Sequence, residues 1–218
     1  MYPFPSKQFT LIAADGQKPS PHFFLNHLKH ASSLLAADGA ASWCFDHNFS
    51  PDLVIGDMDS CSRLTIPFVH VEDQNSNDLE KVFKYCMEKN LKNLLVMGAF
   101  GLRADHFLTN IFVLNKYSLH LNIFFIDDQQ MAFICPPNKH LLISGSNLSY
   151  FSLYPLAHQV GPINTEGVLY PLKNEYLSIH NSLGTLNKIS HNTISLRCQS
   201  QNLLVLLPFD KDLVIECD

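Results

Sequence analysis

The N-terminal part of the chain alternates short apolar runs with longer segments that have helical periodicity. The runs are apolar on both faces, and helical segments separate them. This pattern predicts a largely parallel sheet that is covered on both sides. The predicted strands are residues 9–15, 33–38, 52–57, 67–71, 93–100 and 121–127.

Helix-start signals lie between these runs. Ser20 and Pro21 read as an N-cap followed by proline at the first helical position of PHFFLNHLKH. Asn77 is the expected cap of a second helix, whose acidic residues come early and whose Lys89 comes late, as the helix dipole favours. A third helix is expected from about Arg103 to Tyr117 because it carries an apolar face.

The pattern changes after Pro136 and Pro137. Short β-like runs separated by turn residues follow, and none of them has a convincing helical period. The predicted strands here are HLLIS, LSYFSLYP, GVLYPL, YLSIH, TISLRC and NLLVLLPF. We therefore expect a three-layer α/β domain with a mostly parallel sheet over residues 1–136. A C-terminal antiparallel β-sandwich is expected over residues 137–218.

Composition and charge limit the partners. The 218 residues carry a formal net charge of -5, which gives no general electrostatic reason to bind nucleic acid or an anionic membrane. No apolar run approaches the ~20 residues of a membrane span, and the N-terminus lacks a signal-peptide pattern. The six cysteines are widely spaced and show no zinc-site spacing. We expect a cytoplasmic protein with reduced thiols and with neither nucleic-acid nor membrane partners.

Carboxylates follow the ends of the predicted strands, where open parallel sheets bind ligands. In PDLVIGDMDS, Asp57 and Asp59 come directly after one strand, and Gly56 is expected to allow a sharp turn before them. Carboxylates gathered at one edge repel each other, so an oxygen-preferring cation such as Mg²⁺ is the simplest resolution. A solvated turn or helix cap is the alternative explanation. The strand ends also bring Asp15, Asp38, Asp73, Asp78 and Asp105.

A lysine lies close to one of these acids at the start of a predicted helix. Asp78 and Lys81 lie three residues apart, so both are expected to project from one helix face toward the strand ends. An ordinary helix-stabilising pair is the alternative.

The stretch GAFGLRADHFLTN is a candidate anion site. Its glycines lead into a helix start that carries Arg103, Asp105 and His106. A helix N-terminus favours anions, and arginine grips phosphate through two hydrogen bonds. His106 is either a ligand contact or an ordinary helix-start histidine. Neither GxxxxGK[ST] nor GxGxxG is present in this stretch.

Four stretches, in this order, resemble the thiamine pyrophosphokinase family. AADG, PDLVIGDMDS, DQNSND and GAFGLRADHFLTN are similar to the family patterns ADGG, PD-x-x-x-GD-x-DS, DQ-x-x-x-D and G-x-x-G-x-R-x-DH/Q-x-x-x-N. They span roughly residues 36–110. The resemblance implies an α/β domain followed by a β-sandwich, in a homodimer with active sites at the subunit interface. It also implies transfer of diphosphate from ATP to the hydroxyethyl group of thiamine.

The resemblance implies roles for individual residues. The acids that hold Mg²⁺ and the ATP phosphates correspond to Asp38, Asp57, Asp59 and Asp78. The nucleotide and phosphate site corresponds to Lys81, Arg103 and Asp105, with His106 beside them, and Gln74 corresponds to a residue near thiamine.

The C-terminal part departs from the family pattern. The family's G-x-SN stretch helps to form the thiamine pocket, and SLGTLNKIS keeps Gly184 and Asn187 but has Leu186 in place of serine. Thr185 or Ser182 is the candidate for the missing hydroxyl, and Thr185 and Asn187 are the predicted thiamine contacts.

The predicted reaction is an in-line attack of the thiamine hydroxyl on the β-phosphorus of ATP, with AMP leaving. Lys81 and Arg103 would stabilise the shifting charge, and Asp59 or Asp78 would accept the proton. A DxD glycosyltransferase-like enzyme is one alternative, although it does not explain DQNSND or GLRADH. A thiamine- or nucleotide-binding sensor without catalysis is the other, and the departure at Leu186 is its support.

Overall fold

The computed structural model describes residues 4, 8–57, 66–181 and 183–218. The chain divides into two compact units, one within residues 6–128 and the other mainly within residues 129–218. This division comes before the boundary expected after residue 136. The reason is that the strand Gln130–Cys135 pairs antiparallel with the strand Leu203–Pro208 of the second unit.

The first unit contains a parallel sheet. Its strands are β1 (Thr10–Ala13), β2 (Ser33–Ala37), β3 (Leu53–Gly56), β4 (Phe68–His70), β5 (Asn93–Met97) and β6 (Asn122–Ile126). Their order is β4-β3-β2-β1-β5-β6, and each neighbouring pair is parallel. All six predicted strands are therefore confirmed. Strand order reverses between β1 and β5, which is where open parallel sheets place their ligands.

Helices connect these strands. They are α1 (Pro21–Leu28), α2 (Ala40–Asp46), α3 (Asp78–Glu88) and α4 (Ala104–Tyr117). Both predicted caps are confirmed, because Ser20 Oγ accepts the Phe23 N–H at 3.3 Å and Asn77 Oδ1 accepts the Glu80 N–H at 2.9 Å. The sequence pattern missed α2, whose seven residues are too few to show a helical period. Among the residues described, no helix has the length and apolarity needed to cross a membrane.

The central strands form the core of the first unit. Every residue of β1 is buried, and so are the last four residues of β2, β5 and β6. Phe24 of α1 and Phe83 of α3 are also fully buried. Such a core holds the carboxyl ends of the strands in fixed positions, because close-packed interiors resist deformation.

The second unit is antiparallel. Its strands are β7 (Gln130–Cys135), β8 (Lys139–Ser144), β9 (Tyr150–Pro155), β10 (Gln159–Glu166), β11 (Lys173–Ser178), β12 (Asn187–Lys188), β13 (Thr193–Cys198), β14 (Leu203–Pro208) and β15 (Val214–Cys217). Within this unit the strand orders are β12-β9-β14-β7 and β11-β10-β13-β8-β15. The predicted C-terminal antiparallel β domain is confirmed, and no described residue after 128 is helical.

One predicted strand of the second unit is wrong. GVLYPL, residues 167–172, contains only a single bridge, from Val168 to Ile189. Gly167 has a φ of +80° and Pro171 has no N–H, so the segment cannot continue a regular ladder. The regular strand is β10, which comes just before it and which the sequence pattern missed because Gly161 and Pro162 interrupt its apolar run.

Candidate active site

Lys81 joins two of the predicted acids at the carboxyl edge of the parallel sheet. Its Nζ lies 2.9 Å from Asp78 Oδ1 and 3.2 Å from Asp57 Oδ2. The Lys81 side chain is 2% exposed, whereas those of Asp57 and Asp78 are 24% and 39% exposed. The ammonium is thus buried, and both carboxylates that it binds remain accessible.

The pKa of Lys81 is raised although its side chain is buried. Burial by itself lowers this pKa, but the hydrogen bonds and charges of Asp78 and Asp57 together raise it by more. Lys81 therefore remains protonated at neutral pH. Two carboxylates around one ammonium leave one net negative charge, which favours a further cation.

A chain of side-chain amides fixes the start of α3. Asn77 Nδ2 donates to Asn110 Oδ1 at 3.1 Å, and Asn110 Nδ2 donates to the Ala99 carbonyl at 3.1 Å. Asn110 is buried. Because Asn77 also caps α3, these bonds tie the start of that helix to α4 and to the loop after β5. They hold Asp78 and Lys81 in register with the strand ends.

Asp38 and Gly56 meet at the ends of β2 and β3. Asp38 is buried, and a Cβ built on Gly56 would lie 2.5 Å from its Cβ. Gly56 is not among the glycines with positive φ. The expectation that Gly56 allows a sharp turn before Asp57 therefore does not explain why glycine stands here. Glycine is needed because the Asp38 side chain approaches too closely for any other residue.

Arg103 and Asp105 pair at the start of α4. Arg103 Nη2 lies 2.6 Å from Asp105 Oδ2, and Arg103 Nε donates to Asp105 Oδ1 at 3.1 Å. Both side chains are more than half exposed. The hydrogen bond from Arg103, followed by that from the His106 backbone N–H, lowers the pKa of Asp105 to about 2. The carboxylate is ionised at neutral pH and orients the guanidinium. His106 itself is exposed.

The loops after β1 and β5 are hydrogen-bonded to each other at the switch point. Gly16 N–H donates to the Gly98 carbonyl at 2.6 Å, and Ala14 N–H donates to the Met97 carbonyl at 2.7 Å. A Cβ on Gly98, whose φ is +81°, would lie 2.1 Å from the Ala14 oxygen. Loop pairing therefore accounts for Gly98, and the expected anion cradle in this loop stays a prediction.

Asp73 organises the turn that carries Gln74, a role that the sequence pattern did not indicate. Its carboxylate accepts hydrogen bonds from Lys84 Nζ at 2.7 Å, Ser76 Oγ at 2.7 Å and the Asn75 N–H at 2.9 Å. These bonds, that of Lys84 first, hold the pKa of Asp73 well below its usual range. Gln74 is exposed at the turn. No short spacing could have revealed the pair, since Asp73 and Lys84 are separated by a turn and part of a helix.

In the second unit, the two predicted thiamine contacts differ in their surroundings. Thr185 is exposed, whereas Asn187 is buried and binds the backbone of Tyr170. Leu186, at the family's serine position, is 62% exposed and has a φ of +52°. Its N–H donates to Ser152 Oγ at 2.9 Å. A buried hydroxyl thus holds the loop backbone at this position.

Part of the predicted metal site lies outside the described residues. Asp59, the third acid of that site, is not among the described residues. Neither is Ser182, the other candidate for the hydroxyl of the thiamine pocket. Over residues 8–57, 66–181 and 183–218, no group of three or more His, Cys, Asp or Glu side chains is placed to hold a metal ion. Asp57 and Asp78 are the described members of the predicted set.

Two family models match the chain. "Thiamin pyrophosphokinase, catalytic domain" matches residues 24–125, and "Thiamin pyrophosphokinase, vitamin B1 binding domain" matches residues 139–203. The chain is 26% identical over 190 residues to thiamine pyrophosphokinase of Bacillus subtilis, covering 83% of this chain and 89% of that protein. It is 25% identical over 207 residues to thiamine pyrophosphokinase 2 of Arabidopsis thaliana, covering 80% and 78% respectively.

Solved structures share the fold. The B. subtilis thiamine pyrophosphokinase structure has a TM-score of 0.79 at 22% identity and covers 92% of this chain and 99% of that chain. The yeast thiamin pyrophosphokinase structure has a TM-score of 0.80 at 17% identity and covers 95% and 88% respectively. The two family models together span most of the sequence and both of its units. The chain therefore belongs to the thiamine pyrophosphokinase family.

Proposed function

We propose that this chain transfers the diphosphate group of ATP to the hydroxyl group of thiamine, which gives thiamine diphosphate and AMP. Family membership supports the reaction. The observation that carries the site assignment is the buried Lys81 ammonium, which holds Asp57 and Asp78 at the carboxyl edge of the sheet. Charges fixed in advance suit phosphoryl transfer, because they do not have to reorganise as the reaction proceeds.

Mg²⁺ suits the donor atoms at this edge. Asp57 and Asp78 offer carboxylate oxygens, which are the ligands that Mg²⁺ prefers, and the net negative charge that they share with Lys81 attracts a cation. We assign the ion to Asp57 and Asp78 together with Asp59. When bound there, it would neutralise part of the charge on the ATP phosphates.

The chain's own residues account for the rest of the proposed mechanism. The thiamine oxygen forms a bond to the β-phosphorus as the bond from that phosphorus to the oxygen bridging the α-phosphorus breaks. Lys81 and Arg103 balance the negative charge that moves onto the leaving AMP, and Asp105 keeps Arg103 oriented. Asp59 or Asp78 accepts the proton of the attacking hydroxyl.

The resemblance supports further contacts around this centre. Asp38 and His106, together with the Arg103–Asp105 pair, are assigned to the nucleotide. Gln74 is assigned to thiamine, which agrees with its exposed position in the turn organised by Asp73.

One assay tests the proposed function and its rivals. Purified protein is incubated with ATP, MgCl₂ and thiamine, and the products are quantified by liquid chromatography with mass spectrometry. We expect equal amounts of thiamine diphosphate and AMP, and neither product when thiamine is omitted or Mg²⁺ is chelated. Release of a nucleoside diphosphate would favour the glycosyltransferase-like alternative. Thiamine binding without any nucleotide turnover would favour the sensor.

A homodimer acting in the cytoplasm is part of the same proposal. The family resemblance supports a dimer with active sites at the subunit interface. The cysteines that the structure describes are all free thiols, as expected in a reducing compartment. They are Cys44, Cys86, Cys135, Cys198 and Cys217.

A further inference from the structure

The segment of residues 167–172 in the second unit is held by hydrogen bonds on two sides. On one side, the Leu172 N–H donates to Thr165 Oγ1 at 2.8 Å, and the Thr165 N–H donates to the Leu172 carbonyl at 3.0 Å. On the other side, the Leu169 N–H donates to the Lys188 carbonyl of β12 at 2.8 Å. The segment is irregular, but both of its flanks are anchored.

Asn187 adds the central anchor. Its Oδ1 accepts the Tyr170 N–H at 3.1 Å, and its Nδ2 donates to the Tyr170 carbonyl at 2.6 Å. Both ends of the amide therefore bind the backbone of one residue. Asparagine suits this role because its side chain carries a donor and an acceptor side by side. The side chain is buried, so its loss would leave two backbone groups without these partners.

Packing anchors the segment at Val168 and Leu172, whose side chains are buried, so the stretch between them depends on these hydrogen bonds. A cavity of about 300 Å³ adjoins it, lined by residues that include Thr165, Val168 and Leu172. The side chains of Leu169 and Tyr170 are 52% and 68% exposed. The backbone is thus fixed from within the unit, while an aliphatic and an aromatic side chain face outward.

We propose that Asn187 is a positioning residue for thiamine binding, which acts by holding Tyr170 and its segment and does not contact the substrate itself. The inference rests on the proposed function and deepens it, since Tyr170 and Asn187 both lie within residues 139–203, which match the vitamin B1 binding domain. The geometry assigns the amide to the backbone of Tyr170, and substrate contact is left to the exposed side chain of Tyr170.

The first test compares Asn187→Ala with Lys188→Ala, a matched control on the same strand whose side chain is exposed. Thiamine and ATP are varied separately in steady-state assays. We expect Asn187→Ala to raise the KM for thiamine about tenfold, as the loss of two hydrogen bonds implies, with the KM for ATP nearly unchanged. Lys188→Ala should behave like the wild type. An unchanged thiamine KM in Asn187→Ala, or an equal rise in both KM values, would overturn the proposal.

A double-mutant cycle separates positioning from direct contact. If Asn187 acts through Tyr170, the variant Asn187→Ala/Tyr170→Ala should have about the same thiamine KM as Tyr170→Ala alone. If the effects of the two substitutions multiply, Asn187 contacts thiamine independently and the proposal is wrong.

Thr165→Val provides a second route if Asn187→Ala does not fold. It removes the hydroxyl that anchors Leu172 and nearly keeps the side-chain volume, so it should also raise the thiamine KM while leaving the KM for ATP unchanged. An unchanged thiamine KM in folded Thr165→Val would contradict the positioning of this segment.

Absence of thiamine-dependent AMP release by the wild type would refute the proposed function itself. An active wild type with multiplying effects would refute only the role of Asn187.

Discussion

A buried lysine remains charged in this protein because two carboxylates more than compensate for its loss of hydration. Replacing Asp57 by asparagine keeps the shape of the side chain but removes one negative charge and replaces one of the two carboxylate oxygens by an amide nitrogen, which does not bind Mg²⁺. We expect Asp57→Asn to lower Mg²⁺-dependent AMP formation by at least about 100-fold. Lys81 keeps its bond to Asp78, so circular dichroism should show an intact fold. Initial rates of AMP release measure the effect.

The control for this variant is Asp46→Asn, which changes an exposed aspartate at the end of α2 by the same chemistry. It should retain wild-type turnover. Near-normal turnover by Asp57→Asn would contradict the assignment of this carboxylate to the catalytic site.

Burial also controls the reactivity of the cysteine thiols. It raises the pKa of the Cys44 thiol and of the Cys86 thiol to about 12 each, whereas Cys217 is exposed. Since the thiolate is the reactive form, iodoacetamide at pH 8 should label Cys217 in the folded protein and leave Cys44 and Cys86 unmodified. Peptide mass spectrometry after labelling reads out each site, and labelling in denaturant is the control. Rapid modification of Cys44 or Cys86 in the folded protein would be inconsistent with their burial.

At the scale of secondary-structure elements, the start of α3 carries Asp78 and Lys81, so we expect its anchoring to affect activity as well as stability. Asn77→Ala removes the cap of α3 and the bond to Asn110. We expect it to lower the free energy of unfolding by about 1–2 kcal/mol, measured by urea denaturation, and to reduce turnover. Asn75→Ala is the control, because that exposed residue contributes its backbone N–H, which the substitution keeps. Equal stability of the two variants would argue against the cap.

The contact between β2 and β3 gives a second prediction at this scale. Gly56→Ala places a methyl group 2.5 Å from the Asp38 Cβ, which is too close, so the end of β3 or the Asp38 loop must move. We expect a loss of about 1–3 kcal/mol in the free energy of unfolding, together with a loss of activity because Asp57 follows directly. Thermal and urea unfolding combined with the AMP assay measure both effects. Wild-type stability and turnover in this variant would show that the close approach of Asp38 is not required.

At the scale of the whole molecule, the proposed homodimer predicts a particle mass in solution of about twice the 24.6 kDa of one chain. Size-exclusion chromatography with light scattering measures this mass. A single species at 24.6 kDa under assay conditions, with full activity, would contradict the dimer.

Local patterns predicted most of the first unit. Its strands were predicted because each is a short apolar run. The starts of α1 and α3 were predicted because the side chains of Ser20 and Asn77 each accept a hydrogen bond from the backbone N–H three residues later. The second unit was predicted less accurately. Its strand β10 was missed because it contains Gly161 and Pro162. GVLYPL has the composition of a strand, but the side chains of Asn187 and Thr165 bind its backbone in place of a regular ladder.

The sequence by itself determined the kinds of residue at the strand ends, the order of the four family stretches, and hence the family. Tertiary structure decided which of those residues meet. Lys81 bonds to Asp57, which lies 24 positions earlier, and Asn187 holds Tyr170, which lies 17 positions away. Hydrophobic period and capping act within a few residues, so a sequence displays them directly. Distances between remote side chains depend on strand order and close packing, which only the folded chain establishes.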